Sequence, residues 1–271
     1  MKKISLSDCV ITVEDKGSGL PVLLIHGFPL TRRMWQPQVK GLSKAHRVLV
    51  PDLRGHGDST SGFSTGMDEM TFTMDQLAED CVQLLDSLHI MQPIILCGLS
   101  MGGYVCFAFY RIYPQRVSAI ILAATLAGAD SPEAVNNRRR MIDTIRTSGS
   151  EAVTESLLPK LLSPVTMEVV PELVSDLHEI MRGVPATSMI ADLKGMIARP
   201  DSRPLLPEIR IPALVLAGAD DQIIPAAEAE LMAAAIPQVS SVTLPRAGHL
   251  LNLEQPSLFN NAVSQFIESI K

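Results

Sequence analysis

Apolar residues gather in short unbroken runs along the chain: Pro21–Ile25, Arg47–Pro51, Pro93–Cys97, Ser118–Leu122, Ala213–Ala217 and Ser241–Leu244. Runs without period-two alternation suit strands covered on both faces, as in a parallel sheet. Helical periodicity fills the intervals between them. The alternation predicts an α/β fold, a mostly parallel central sheet with helices on both faces. Cys9–Val13 predicts one further, antiparallel strand at the edge. A helix is predicted over 74–90, where Leu77, Cys81, Leu84, Leu85 and Leu88 recur on one face. Thr73 with Gln76 forms a capping box at its start, and Phe72 with Leu77 a hydrophobic staple. A second helix is predicted over 257–270, with Leu258, Phe259, Ala262, Val263, Phe266 and Ile267 on its buried face.

Between about Asp130 and Pro204 the pattern changes. Strand runs vanish and helical pieces replace them, broken at Gly149, Pro159, Pro164, Pro171 and Pro185. The expectation is a helical cap over 130–204, inserted after the sixth strand, with 1–129 and 205–271 forming the core. A chain of 271 residues accommodates one large α/β unit with such a lobe.

Composition narrows the function classes. With 46% hydrophobic and 19% charged residues the chain reads as an ordinary globular protein. A net charge of −6 argues against nucleic acid or an anionic membrane surface as partner. Met1-Lys2-Lys3 is not followed by an apolar run, so no signal peptide is expected. The longest apolar stretch, around Ala119–Ala129, falls short of the roughly 18 residues of a membrane helix. A cytoplasmic location follows as an expectation. Cys9, Cys81, Cys97 and Cys106 lack CxxC spacing and read as reduced, mostly buried thiols rather than a disulfide framework or zinc site. No cofactor and no metal is implied.

The strongest chemical signal is Gly98-Leu99-Ser100-Met101-Gly102, followed by Gly103. It lies between a predicted strand and a predicted helix, the context a GxSxG nucleophile elbow requires. So sharp a turn strains the serine and exposes its hydroxyl at the carboxyl edge of the sheet. The helix that starts there favours developing negative charge. Acyl transfer also needs two backbone N–H groups aimed at the oxyanion. One is Met101, just after the serine. The other should come from His26-Gly27-Phe28-Pro29, after the strand Pro21–Ile25. Proline has no N–H and cannot serve, which points to Phe28. His26 reads as a buried residue bracing this loop.

A base must be found among six histidines. His46 and His89 read as surface residues, His56 belongs to a turn, and His178 to the inserted segment. Only His249, in Ala247-Gly248-His249, lies beyond the last predicted strand, where the chain order serine, acid, histidine requires it. The acid should follow the strand Ala213–Ala217, in a loop where Asp220 and Asp221 compete. One would hold the imidazole tautomer and the other would bond the turn. Asp52-Leu53-Arg54-Gly55-His56-Gly57 matches neither a phosphate loop nor a metal-ligand spacing and reads as a structural turn. Arg138-Arg139-Arg140 reads as a solvated helix face.

These segments, His26–Pro29, Pro51–Ser59, Gly98–Gly103, Gly218–Pro225 and Gly248–His249, give nearly the whole chain a resemblance to the α/β-hydrolase superfamily. Within it the chain most resembles the 3-oxoadipate enol-lactonase and carboxylesterase group, with the non-haem haloperoxidases nearby. That group's acid loop reads G-x-x-D with proline four residues on. The resemblance therefore implies Asp221, with Pro225 as the proline. It also implies a cis Phe28–Pro29 bond, and it puts Trp35 where such proteins often carry a pocket-lining tryptophan, with a core tryptophan packing a helix as the equal alternative. The expected activity is hydrolysis of a small carboxylic ester or lactone through an acyl-enzyme. Perhydrolysis and C–C bond hydrolysis use the same triad. A slow ligand sensor of this fold is the alternative from another class. Met, Leu, Val and Ile in the inserted segment point to a mainly apolar substrate, with Met141 and Met181 as candidate contacts.

Overall fold

The computed structural model describes residues 1–62 and 70–270. Among them, eight strands form one sheet: β1 (Lys2–Ser5), β2 (Val10–Lys16), β3 (Pro21–Ile25), β4 (Arg47–Pro51), β5 (Ile94–Leu99), β6 (Val117–Ala123), β7 (Ala213–Gly218) and β8 (Val239–Leu244). The spatial order is β1-β2-β4-β3-β5-β6-β7-β8. The pairs β1–β2 and β2–β4 are antiparallel and all others are parallel. Every residue of β3, β5 and β7 is buried. Their continuous apolar runs are explained by cover on both faces.

The antiparallel edge differs from the expectation. Cys9–Val13 falls at the start of β2, which is not the edge; β1 lies outside it. The sequence Lys2-Lys3-Ile4-Ser5 is mostly exposed and carries no apolar run to reveal a strand. At the far edge β8 begins two residues earlier than its apolar run, and exposed residues interrupt it, as befits a strand with one free side.

The helices are α1 (Gln36–Leu42), α2 (Met74–Ser87), α3 (Met101–Ile112), α4 (Pro132–Ser148), α5 (Ser150–Leu161), α6 (Pro164–Val169), α7 (Pro171–Arg182), α8 (Ala186–Ala198), α9 (Ala226–Ala235), α10 (Leu251–Glu254) and α11 (Pro256–Ser269). Thr73 Oγ1 caps α2 by accepting the Gln76 N–H at 3.1 Å. Helices α4 to α8 all fall between β6 and β7. Pro164 and Pro171 open α6 and α7, and Pro185 precedes α8. Pro159 does not break the chain as expected. It sits inside α5, where buried Leu157, Leu158 and Leu161 hold the helix to its end. Tertiary burial here outweighs the hydrogen bond that proline removes.

The topology prepares a site. β3 pairs with β4 on one side and β5 on the other, so the chain leaves their carboxyl ends in opposite directions. Such a switch point opens a crevice where open α/β sheets bind ligands. The loop beginning at His26 and the turn at Ser100 both emerge there.

Candidate active site

Ser100 joins β5 to α3 with φ 56° and ψ −115°, a positive φ that a side chain adopts only under constraint. Three hydrogen bonds impose it. Ser100 N–H donates to the Ala123 carbonyl at 2.9 Å, and its own carbonyl accepts from Gly103 N–H at 2.9 Å and Thr125 Oγ1 at 2.8 Å. The surrounding backbone leaves no room for side chains at two neighbours. A Cβ on Gly98 would lie 2.1 Å from the Gly102 carbonyl oxygen, and one on Gly102 would lie 2.3 Å from that of Ile25. The glycines of the motif are therefore a packing requirement of the turn.

The loop after β3 packs directly on this turn: a Cβ on Gly27 would stand 3.3 Å from Ser100 Cβ. The Phe28–Pro29 bond is cis. His26 is fully buried and braces the loop from behind. Its Nδ1 lies 3.0 Å from the Gly27 carbonyl, and its Nε2 accepts the Leu53 N–H at 3.0 Å. One nitrogen must donate and the other accept, which defines a neutral imidazole. Burial, with His56 nearby, pushes its pKa well below the usual histidine value.

The loops after β7 and β8 supply the rest. His249 Nδ1 stands 2.9 Å from Asp221 Oδ2 and 3.2 Å from Oδ1. Asp221 Oδ1 also accepts N–H bonds from Ile223 at 2.8 Å and Ile224 at 3.0 Å. Burial works against charge on Asp221, but the His249 ring and these two amides prevail and hold its carboxyl below the usual range. Asp220 is exposed and contributes its backbone N–H to Ala247. The carboxylate on Nδ1 leaves Nε2 of His249 as the acceptor. Glu254 anchors this loop, accepting from Gly248 N–H at 2.7 Å and from Ser163 N–H, in the inserted segment, at 2.8 Å.

Ser100, His249 and Phe28 line one cavity of about 200 Å³. Met101 follows Ser100 as the first residue of α3 and is fully buried. Met141 reaches the cavity wall. Trp35 and Met181 do not, among the described residues. Trp35 is fully buried in the core with its ring 5.8 Å from that of Phe259. Met181 is buried on the inner face of α7. Both are core residues, so the pocket roles expected for them are corrected here.

The wall holds residues the pattern did not reveal. Tyr104 stands four residues after Ser100 on α3, the spacing that returns a helical side chain to the same face. Ala134, Arg138 and Met141 form a stripe on α4 at the same kind of spacing. Arg138 thus leaves the solvated face expected for it, while Arg139 and Arg140 are exposed. Arg138 Nε donates to Asp130 Oδ2 at 2.6 Å, and Arg199 donates to Asp130 Oδ1 at 2.7 Å. The Arg199 guanidinium also lies 4.1 Å from the centre of the Tyr104 ring. Arg138 lines the cavity and Arg199 does not, but the two guanidiniums share the one Asp130 carboxylate, an excess of positive charge next to this end. The two cations hold the Asp130 carboxyl below the usual range despite its burial.

His46 is buried, against the surface position expected. All four cysteines are free and buried. Asp8, Cys9 and Asp80 bring three donor atoms within 4.8 Å of one another, the geometry of a metal cluster. The Arg54 guanidinium already occupies that space, bonding both carboxylates, and burial pushes the Cys9 thiol to about 11. A cation there would meet a resident cation. No helix among the described residues is long and apolar enough to cross a membrane.

Comparison with known proteins agrees with this architecture. Residues 21–256 match the family profile described as alpha/beta hydrolase fold, and the chain belongs to that family of hydrolases. The 3-oxoadipate enol-lactonase 2 of Acinetobacter baylyi is 32% identical over 231 residues, covering 85% of this chain and 82% of that protein. A thermophilic esterase from Thermogutta terrifontis, solved with malate bound, superposes with TM-score 0.94 at 39% identity, over 100% of this chain and 99% of that one. The enol-lactonase of Burkholderia xenovorans LB400 superposes with TM-score 0.89 at 28% identity, over 98% of this chain and all of that one.

Proposed function

We propose that this hydrolase cleaves small carboxylic esters or lactones through an acyl-enzyme at Ser100. The observation that carries the reading is one cavity holding both the strained serine and the histidine of a buried histidine–aspartate pair. Ser100 Oγ attacks the carbonyl carbon and its proton passes to His249 Nε2. Asp221 keeps the other nitrogen protonated and stabilises the imidazolium. The N–H groups of Phe28 and Met101 receive the oxyanion. Collapse expels the alcohol, which takes the proton from His249. Water then enters by the same steps in reverse and releases the acid. The helices of segment 130–204 act as the cap that walls the cavity.

The cavity supports a refinement of the substrate. It is small, below the roughly 300–1,000 Å³ of drug-sized sites, and one end carries Arg138 beside Asp130, whose carboxylate Arg199 also bonds from outside the wall. An ester or lactone with a carboxylate of its own fits that end, which refines the mainly apolar substrate read from the cap's composition. The malate-bound relative is consistent with it. The test is a panel of neutral and carboxylate-bearing esters and lactones, with labelling by a fluorophosphonate. Ser100→Ala is expected to lose labelling and at least about 10³-fold in turnover. Arg138→Met is expected to lower the preference for acidic over neutral substrates about tenfold or more. Residual turnover above a tenth in Ser100→Ala would refute the nucleophile. An unchanged preference in Arg138→Met would refute the acidic substrate alone.

A further inference from the structure

Behind the Ser100 cavity lies a buried chain of hydrogen bonds that the proposed mechanism does not use. His56, in the turn after β4, is fully buried. Its Nδ1 is 2.9 Å from the Arg54 carbonyl, and its Nε2 is 2.9 Å from Oδ2 of Asp192, a fully buried residue of α8. A carbonyl only accepts, so Nδ1 bears a hydrogen. A neutral imidazole would then turn the Nε2 lone pair toward a carboxylate. The contact therefore holds a further proton between Nε2 and Oδ2. Asp192 Oδ1 has no hydrogen-bond partner among the described residues. An orphan oxygen is far less costly on a neutral carboxyl than on a carboxylate, and burial pushes Asp192 in that direction.

From His56 the chain runs to the loop after β3. The backbone N–H of His56 donates to the Leu53 carbonyl at 3.0 Å. Leu53 N–H donates to His26 Nε2, and His26 Nδ1–H donates to the Gly27 carbonyl, each at 3.0 Å. The two imidazole rings pack with centroids 4.9 Å apart. The last acceptor matters most. The Gly27 carbonyl and the Phe28 N–H belong to one planar peptide group and point in opposite directions. Whatever fixes the carbonyl aims the N–H. One turn before Asp192, Ser188 Oγ donates to the Gly55 carbonyl at 2.7 Å, so α8 holds this turn at two points.

We propose that Asp192 is a positioning residue: from helix α8 it sets, through His56, Leu53 and His26, the orientation of the Gly27–Phe28 peptide group. The inserted helices then do more than wall the cavity, since one of them holds an oxyanion donor in place. This rests on the reading of Phe28 as such a donor. A misaimed donor weakens transition-state binding and leaves ground-state binding largely intact. The loss falls on kcat and not on KM.

The test compares Asp192→Asn with Asp192→Leu. An asparagine amide can donate to His56 Nε2 across the same contact, so Asn keeps the chain, whereas Leu fills the space and breaks it. Asp192→Ala serves the same purpose should the leucine variant fail to fold. Hydrogen exchange at the Leu53 and Leu30 amides reports the chain without any substrate, since Leu30 N–H also bonds the Gly27 carbonyl. Expected are faster exchange at both amides and a fall in kcat of about tenfold or more in the Leu or Ala variant, with KM within about threefold. The Asn variant should stay near wild type in both. Unchanged exchange in the Leu and Ala variants would overturn the proposal, as would faster exchange with undiminished kcat. Faster exchange in a protein whose wild type hydrolyses no ester or lactone would uphold the chain and refute the proposed ester and lactone activity instead.

Discussion

Asp220 and Asp221 are adjacent, yet only one carboxylate meets the imidazole. Asp221 faces His249 and takes two backbone N–H bonds, while Asp220 is exposed. Asp221→Asn would place an amide against Nδ1 and favour the wrong tautomer, with a loss of about 10³–10⁴-fold in kcat. Asp220→Asn, like most surface changes, should alter activity by about twofold at most. Steady-state kinetics on one activated ester separates the two, and the reverse ranking would transfer the role to Asp220. Ser100 and His249 were legible because chain order and glycine spacing mark them. Alone, the aspartate that pairs with His249 was not: the two aspartates share one loop, and it took a family's spacing to choose. Arg138 was illegible for another reason. A run of three arginines on a helix presents some face to solvent, and which one turns inward depends on how α4 packs against α5 and α8.

At the scale of elements, buried parallel strands announced themselves, because cover on both faces demands apolar residues throughout. The edges did not. Exposed β1 obeys pairing with β2 and no burial pattern of its own. The inserted helices were legible as helices, but not in their inward faces, so methionine content overstated their contact with substrate. Met141 and Met196 touch the cavity; Met181 and Met189 are fully buried elsewhere. Met141 also lines a groove of about 320 Å³ between α4 and α5, so it stands between the two spaces. Met141→Ala should open the cavity toward that groove and raise relative activity on longer acyl chains by about threefold or more. Met181→Ala should leave that ratio unchanged and cost about 2–5 kcal/mol of stability. Rates on acyl chains of graded length, with urea unfolding of each variant, test both. A shifted ratio in Met181→Ala would restore its pocket role.

For the whole molecule, the response to acid is a balance between two sets of carboxylates. Asp8, Glu14, Asp15, Asp130 and Asp221 are held below their usual range, and each stabilises the fold at neutral pH. Asp52, Asp80 and Asp192 are pushed up by burial and act in the opposite sense. Asp15 isolates one term. From β2 it accepts from Arg47 Nε at 3.0 Å and Nη2 at 2.8 Å on β4, and from Lys2 Nζ at 2.7 Å on β1. The bonds from Arg47 are the main cause of its lowered value; burial opposes them and Lys2 assists. A carboxyl whose folded pKa lies below its unfolded value of about 3.9 binds more protons when unfolded. Its stabilisation is therefore complete well above pH 4 and is lost as pH falls through the folded value. Asp15→Asn should be less stable than wild type at pH 7 by about 0.5–1 kcal/mol, the value of a pair whose cations remain partly exposed. The gap should close on acidification toward pH 3, because the wild type loses what the variant never had. Urea unfolding at pH 7, 5, 4 and 3 measures it. A gap that widens toward low pH, or is absent at pH 7, would remove Asp15 from the stabilising set and leave the antiparallel edge to its backbone ladder and the apolar cluster of Ile11, Val13 and Leu84.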